Sequence, residues 1–221
     1  LDLTDLQKQL EHIYEIRVDH DVADFLITDS EIASNLEGGT GRRVAPEKLL
    51  LFEHQGQMNL SLYLAPEVVE HLAGEPTTMW GASGAAFCLA VEGVSHFLYV
   101  AWRAGYDRSL TQMELELQAE VDKFIGLLSL PGMSNSGADS VEQVRHWLFS
   151  RARFATDLSP CEQVRYWKAN YYAAIYCQQL EHRYFKSHDG AGLTRELRRF
   201  YRLDQKGKIA MIGRGCEGLP G

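Results

Sequence analysis

The chain has 221 residues and a mass of 25.0 kDa, with 22 Lys+Arg against 30 Asp+Glu, a formal charge of -8, and 45% hydrophobic residues. That length and apolar fraction suit one large domain or two small ones, and exclude disordered and collagen-like chains. Cys88, Cys161, Cys177 and Cys216 form neither a Cys-x-x-Cys pair nor an even framework, which excludes a zinc ribbon or a disulfide scaffold and makes reduced thiols and a cytoplasmic location the expectation.

Charge is unevenly divided. Residues 150–221 carry 13 Lys+Arg and 7 Asp+Glu, whereas residues 1–149 carry 9 and 23. Such a split predicts either attraction between the halves or an anionic partner for the basic half. The net negative charge repels nucleic acid at long range and favours the internal reading.

In chain order, Thr4 and Gln7 predict a capping box that opens a first helix bearing Leu6, Leu10 and Ile13. A strand is expected over 23–28 and a loop over 35–43. The stretches 49–54 and 58–64 alternate well enough around Gln55-Gly56-Gln57 for a hairpin, and Pro66 opens a short helix to about Leu72. Gly81–Gly84 lead into a strongly apolar helix over 85–104, with Ser83 as its expected N-cap and an anion site conceivable there. Its length approaches that of a membrane span, but Glu92, Ser95 and His96 near the middle predict a core helix, with no membrane partner. A short turn returns the chain into a second helix over 110–128, with Thr111 and Glu114 as a capping box.

Residues 129–139 read as a linker rich in Gly and Ser. Ser140 and Gln143 open a helix to about 154, and Ser159-Pro160 with Glu162 opens a long one to about 185. A helix is expected over 194–203, a short strand over 208–212, and a flexible tail over 213–221. The predicted fold class is therefore α+β and predominantly helical, with a small antiparallel sheet packed on a helical core. Residues 1–80 form an α+β portion continuous with the helical portion 81–212.

Two polar stripes carry the functional expectations. On a helical wheel, Cys88, Glu92, Ser95, His96, Tyr99 and Arg103 fall within about 100° of a helix that is otherwise apolar. Glu92 and His96 are one turn apart and can address one centre. If the next helix returns antiparallel, Arg103 lies level with Glu114 while Glu92 and His96 lie near Glu120, with Glu116 on the border.

Glu92, His96 and Glu120, with Glu116 as a further ligand, then form a candidate site for one divalent ion such as Zn, Mn or Fe. The same groups also suit metal-free acid/base work, or a structural network pairing Arg103 with Glu114 and His96 with Glu120. As an enzyme, the chain is expected to be a small soluble hydrolase, with Tyr99 and Arg103 contacting substrate.

The second stripe lies on the long helix and comprises Arg165, Lys168, Tyr172, Tyr176, Gln179 and Arg183. Arg195, Arg198, Arg199 and Arg202 extend the basic region at helical spacing. These residues are candidates for binding an anion, a single strand of nucleic acid or a protein partner. A small-molecule substrate or protein partner is expected ahead of nucleic acid, with a homo-oligomer as an open alternative. The Gly38–Arg43 loop lacks the Lys-Ser/Thr ending of a phosphate-binding loop.

Overall fold

The computed structural model describes residues 2–38, 44–54, 57–73, 81–106, 108–130, 138–150 and 158–216. The first helix, α1 (Leu3–Tyr14), is capped by Asp2, which with Asp5 forms the capping box expected of Thr4 and Gln7. Asp2 wins because it stands immediately before the apolar repeat, which starts at Leu3 rather than Leu6. Thr4 and Gln7 instead fasten the next loop: Thr4 donates to Asp21 at 2.8 Å, and Gln7 donates to the His20 carbonyl at 2.8 Å and accepts from the Val22 amide at 2.7 Å.

The strand expected over 23–28 is replaced by a 3-10 turn, Val22–Phe25, capped by Asp21, and a two-residue strand β1, Leu26–Ile27. Asp29 then caps α2 (Ser30–Leu36), so the expected loop starts later; residues 39–43 of that loop lie outside the described residues. The hairpin forms as predicted from β2 (Glu47–His54) and β3 (Gln57–Leu64), paired antiparallel with Leu49 opposite Leu62. The three-strand sheet is mixed rather than antiparallel, in the order β1-β3-β2, because β1 runs parallel to β3. Parallel neighbours need a crossover connection, and α2 lies within it.

The short helix α3 (Pro66–Ala73) is followed by α4 (Gly81–Ala104), α5 (Gln112–Leu128) and α6 (Ala138–Ser150). Gly81–Gly84 form the first turn of α4, so Ser83 is a helical residue and not the N-cap. Thr111 caps α5 as expected, but Glu114 does not complete the box; its carboxylate turns inward to Arg103. Residues 131–137 of the expected linker and 151–154 of the expected helix end lie outside the described residues, and the last two linker residues, 138 and 139, belong to α6.

Ser159, Pro160 and Glu162 open α7 (Pro160–Leu180) with a complete capping box, and the helix continues into a π turn, Glu181–Phe185. Asp189 caps α8 (Gly190–Arg202). The expected strand over 208–212 is helical, lying inside α9 (Gln205–Cys216), which also takes up the start of the expected tail. Asp204 supplies the start signal, accepting from the Gly207 amide at 2.7 Å. Lys208, Ile212 and Gly215 are the buried residues of α9, spaced for one helical face. The fold is thus α+β and predominantly helical, with a small mixed sheet.

The centre of the fold is α4, which packs against α1, α3, α5 and the hairpin. It is the one described helix long and apolar enough to cross a membrane, and 78% of its most apolar stretch is buried against these neighbours. Two glycines set the close approaches. A Cβ on Gly93 would stand 2.7 Å from Leu62 Cδ1 and 3.3 Å from Glu47 Cγ, so its absence lets the hairpin lie against α4. A Cβ on Gly126 would meet Val91 at 3.3 Å, where α5 crosses α4. One apolar cluster continues from Leu3 through Phe97 and Phe124 to Ile212.

Candidate metal centre

His96 projects from α4 between two carboxylates. Its Nδ1 lies 3.4 Å from Glu47 of β2, and its Nε2 lies 3.6 Å from Glu116 of α5. The residue is 6% exposed, and among the described residues Nε2 has no hydrogen-bond partner, Glu116 standing at ion-pair distance from it. Glu92, one turn before His96, joins it: one ligand atom each from Glu92, His96 and Glu116 lie within 4.8 Å of one another. Gly93, between Glu92 and His96 on α4, provides the space that lets Glu47 reach the imidazole.

Lys123 of α5 closes the cluster. Its ammonium lies 3.0 Å from Glu92 and 2.8 Å from Glu120. Glu120 is therefore held by Lys123, whereas the imidazole of His96 meets Glu47 and Glu116. The expected set of Glu92, His96 and Glu120 is brought together in one neighbourhood, but Glu116 stands where Glu120 was expected. Neither Glu47 nor Lys123 carried a signal tying it to His96; only the spacing of Glu120 and Lys123, one turn apart, was readable.

The electrostatics follow from burial. Burial disfavours the imidazolium of His96, but Glu47 and Glu116 outweigh it and hold the imidazole well above the ordinary histidine range. Burial pushes the carboxyls of Glu47 and Glu120 up, against the pull of His96 and Lys123 respectively. Burial acts on Glu92 too, but Lys123 and His96 outweigh it and bring its carboxyl below the usual range. Lys123 is held well above the ordinary lysine range, its burial overcome by Glu120 and Glu92. Cys88, a turn before Glu92, has its thiol pushed up to about 12 by burial.

Counting Glu47, Glu92, Glu116 and Glu120 as carboxylates, Lys123 as a cation and His96 as the neutral imidazole that a metal ligand must be leaves the cluster three negative charges in excess. Uncompensated charge away from water is costly, and a divalent cation would offset most of it. The donor set fits such an ion. One imidazole and two carboxylates suit zinc, manganese or iron. A carboxylate on the far nitrogen is the usual support of a ligating histidine, and Glu47 is so placed.

A second buried network lies along the same helix pair. Asp122 accepts from Ser95 at 2.5 Å, from Gln118 at 2.9 Å and from the Tyr14 hydroxyl. Lys208 of α9, fully buried, donates to the Gln118 side-chain oxygen and stands over the rings of Phe200 and Tyr99 at 4.5 and 4.7 Å. Burial lowers its ammonium to about 7, and raises the Asp122 carboxyl to about 6.

Arg103 pairs with Glu114 as the sequence predicted. It also donates to the Tyr99 hydroxyl at 2.9 Å and to the Leu203 carbonyl at 2.7 Å, while Tyr99 donates to Glu114 at 2.6 Å. Tyr99 and Arg103, expected to contact substrate, are thus engaged with the connection between α8 and α9.

The basic stripe of α7 is split. Tyr176 and Gln179 are buried, and Tyr172 is half-buried against the core. Arg165 donates to Gln112 at 2.6 Å, and Arg183 pairs with Glu196 at 2.9 Å; Lys168 is exposed. In α8, Arg198 and Arg202 grip the end of α1, donating to the carbonyls of Ile13 at 3.0 Å and Tyr14 at 3.0 Å. Arg198 also pairs with Glu15 at 2.9 Å. Cations at a helix C-terminus satisfy its free carbonyls and its dipole, so this part of the basic half is used internally.

Two described surface clefts are lined by other residues, one along α1 and one between α2, β2 and the start of α7. Comparison with protein-family models, with curated proteins and with solved structures finds no match to this chain.

Proposed function

We propose that this protein is a small, soluble, cytoplasmic, metal-dependent enzyme of the hydrolase class, with one divalent ion held by Glu92, His96 and Glu116. The observation that carries this reading is the buried His96, whose Nε2 stands beside two carboxylates with no hydrogen-bond partner among the described residues and whose Nδ1 faces Glu47. A buried imidazole nitrogen without a hydrogen bond is costly, and a metal ion would remove that cost while offsetting most of the excess carboxylate charge. An ion held by these residues would supply activation of water as a nucleophile near neutral pH. Glu120, its carboxyl pushed up by burial, is the neighbouring group suited to take up a proton.

The test is hydrolysis of an activated ester and an activated phosphodiester by chelator-treated protein, before and after Zn2+ or Mn2+ is restored. Activity that returns with metal in the parent and not in His96→Ala supports the reading. Hydrolysis by the parent that is indifferent to chelation, or absent with every metal and both substrates, overturns it.

A second reading, a non-catalytic interaction or assembly subunit, is supported by the outer face of α7. Val164, Trp167 and Tyr171 are 52%, 57% and 48% exposed, and the last two rings stack at 5.3 Å. Exposed aromatics beside Lys168 are typical anchors. Sedimentation of the parent beside Trp167→Ala decides whether this face joins copies of the chain: a dimer lost in the variant supports it, and a monomer in both removes self-assembly.

A further inference from the structure

Two cation positions can be recognised in the buried cluster. The first lies among Glu92, His96 and Glu116, whose ligand atoms come within 4.8 Å of one another. The second lies between Glu92 and Glu120, and the Lys123 ammonium fills it, at 3.0 and 2.8 Å from the two carboxylates. Glu92 belongs to both. A carboxylate has two oxygens and about four acceptor directions, so Glu92 can serve Lys123 and an ion together. Two cation positions that share the carboxylate of Glu92 have the plan of a two-metal site, except that one cation is a side chain.

We propose that Lys123 is the fixed second cation of this centre, occupying the position between Glu92 and Glu120 that would otherwise take a metal ion and so limiting the protein to one ion. The proposal rests on the metal-binding reading above and adds its stoichiometry. Two features of the fold support it. Lys123 and Glu120 are one turn apart on α5 and Glu92 comes from α4, so the ammonium bridges the same two helices that supply the first position. The Lys123 side chain is only 10% exposed, and a lysine that served as a solvated surface partner would not be buried with its charge. Charge agrees as well. With neutral His96 as a ligand, one divalent ion and Lys123 leave the four carboxylates of Glu47, Glu92, Glu116 and Glu120 one negative charge in excess. Two divalent ions without Lys123 balance them.

The experiment is Mn2+ titration of metal-free protein, followed by native mass spectrometry and electron paramagnetic resonance, on the parent, Lys123→Met, Lys123→His and Lys123→Arg. The parent and Lys123→Arg are expected to take one Mn2+ and give the spectrum of an isolated ion. Lys123→Met and Lys123→His are expected to take two, with the spin-coupled spectrum of a pair. One ion in all four proteins, with unchanged affinity, overturns the role of Lys123 and leaves the metal-binding reading standing. No ion in a folded parent overturns the metal-binding reading itself. If Lys123→Met and Lys123→His fail to fold even with excess Mn2+, the inference is also overturned, because a position that accepts an ion must be rescued by one.

Discussion

Lys208 offers the sharpest test of how the buried polar groups are held. Its ammonium donates to Gln118 and faces the rings of Tyr99, Phe200 and Tyr201, with Glu114 and Asp122 acting to keep it charged and Arg103 opposing them. Burial wins and brings it from 10.5 to about 7. At roughly 1.4 kcal/mol for each factor of ten, burying this amine costs the fold on the order of 4 kcal/mol at pH 7. Lys208→Met keeps the length and the ring contacts and removes that cost. It leaves the Gln118 oxygen without its donor, a loss of about 1–3 kcal/mol. The variant is therefore expected to be more stable at pH 7 by about 1–3 kcal/mol, which for a chain of this size raises the melting temperature by roughly 2–12 °C. The pH dependence has a definite sign. Between pH 7 and 9 the unfolded lysine still holds its proton while the folded one has lost it, so the parent gains stability as pH rises. Lys208→Met should lack that gain. Calorimetry at pH 7, 8 and 9 reads both effects. A lower melting temperature for the variant at pH 7, with the same slope as the parent, would refute the reasoning and mean that the lysine's contacts outweigh its desolvation.

Three further outcomes follow from the geometry. Gly93→Ala drives a Cβ to 2.7 Å from Leu62 and 3.3 Å from Glu47; it should cost about 1–3 kcal/mol in urea unfolding and weaken Mn2+ binding by moving Glu47, and unchanged values for both would contradict the close approach. Glu47→Gln removes the carboxylate facing Nδ1 of His96; it should lower Mn2+ affinity about 10–100-fold without changing the number of ions bound, as isothermal titration would show. Arg202→Ala frees the carbonyls of Tyr14 and Glu15; it should cost about 1–2 kcal/mol, with faster amide exchange at the end of α1, and full protection there would mean that the grip is dispensable.

Much of this architecture was legible because local signals and periodicity agreed. Ser159-Pro160 with Glu162 announced α7, Thr111 announced α5, and alternation announced the hairpin. The short turn after α4 put Arg103 beside Glu114, and the i, i+4 spacing put Glu92 and His96 on one face. What the sequence hid was either short or distant. The run from Lys208 to Ile212 is too brief for its period to separate strand from helix, and the deciding cap, Asp204, lies outside it. Glu47 reaches His96 from a strand 49 positions earlier in the chain, through a gap left by Gly93, and no local pattern encodes that. Glu120 was misplaced for a chemical reason: Lys123, one turn on, takes its carboxylate, and His96 meets Glu116 instead. The Arg stripe of α8 was visible, but its target, the carbonyl end of α1, is a tertiary fact.

The proposed binding of one divalent ion by Glu92, His96 and Glu116 is tested by elemental analysis of protein purified without metal-chelating resin, beside folded Glu92→Gln, His96→Ala and Glu116→Gln variants. Close to one equivalent of metal is expected in the parent, and its loss in all three variants. A parent that stays free of metal after reconstitution with Zn2+, Mn2+ and Fe2+, or variants that retain the parent's metal, would contradict it.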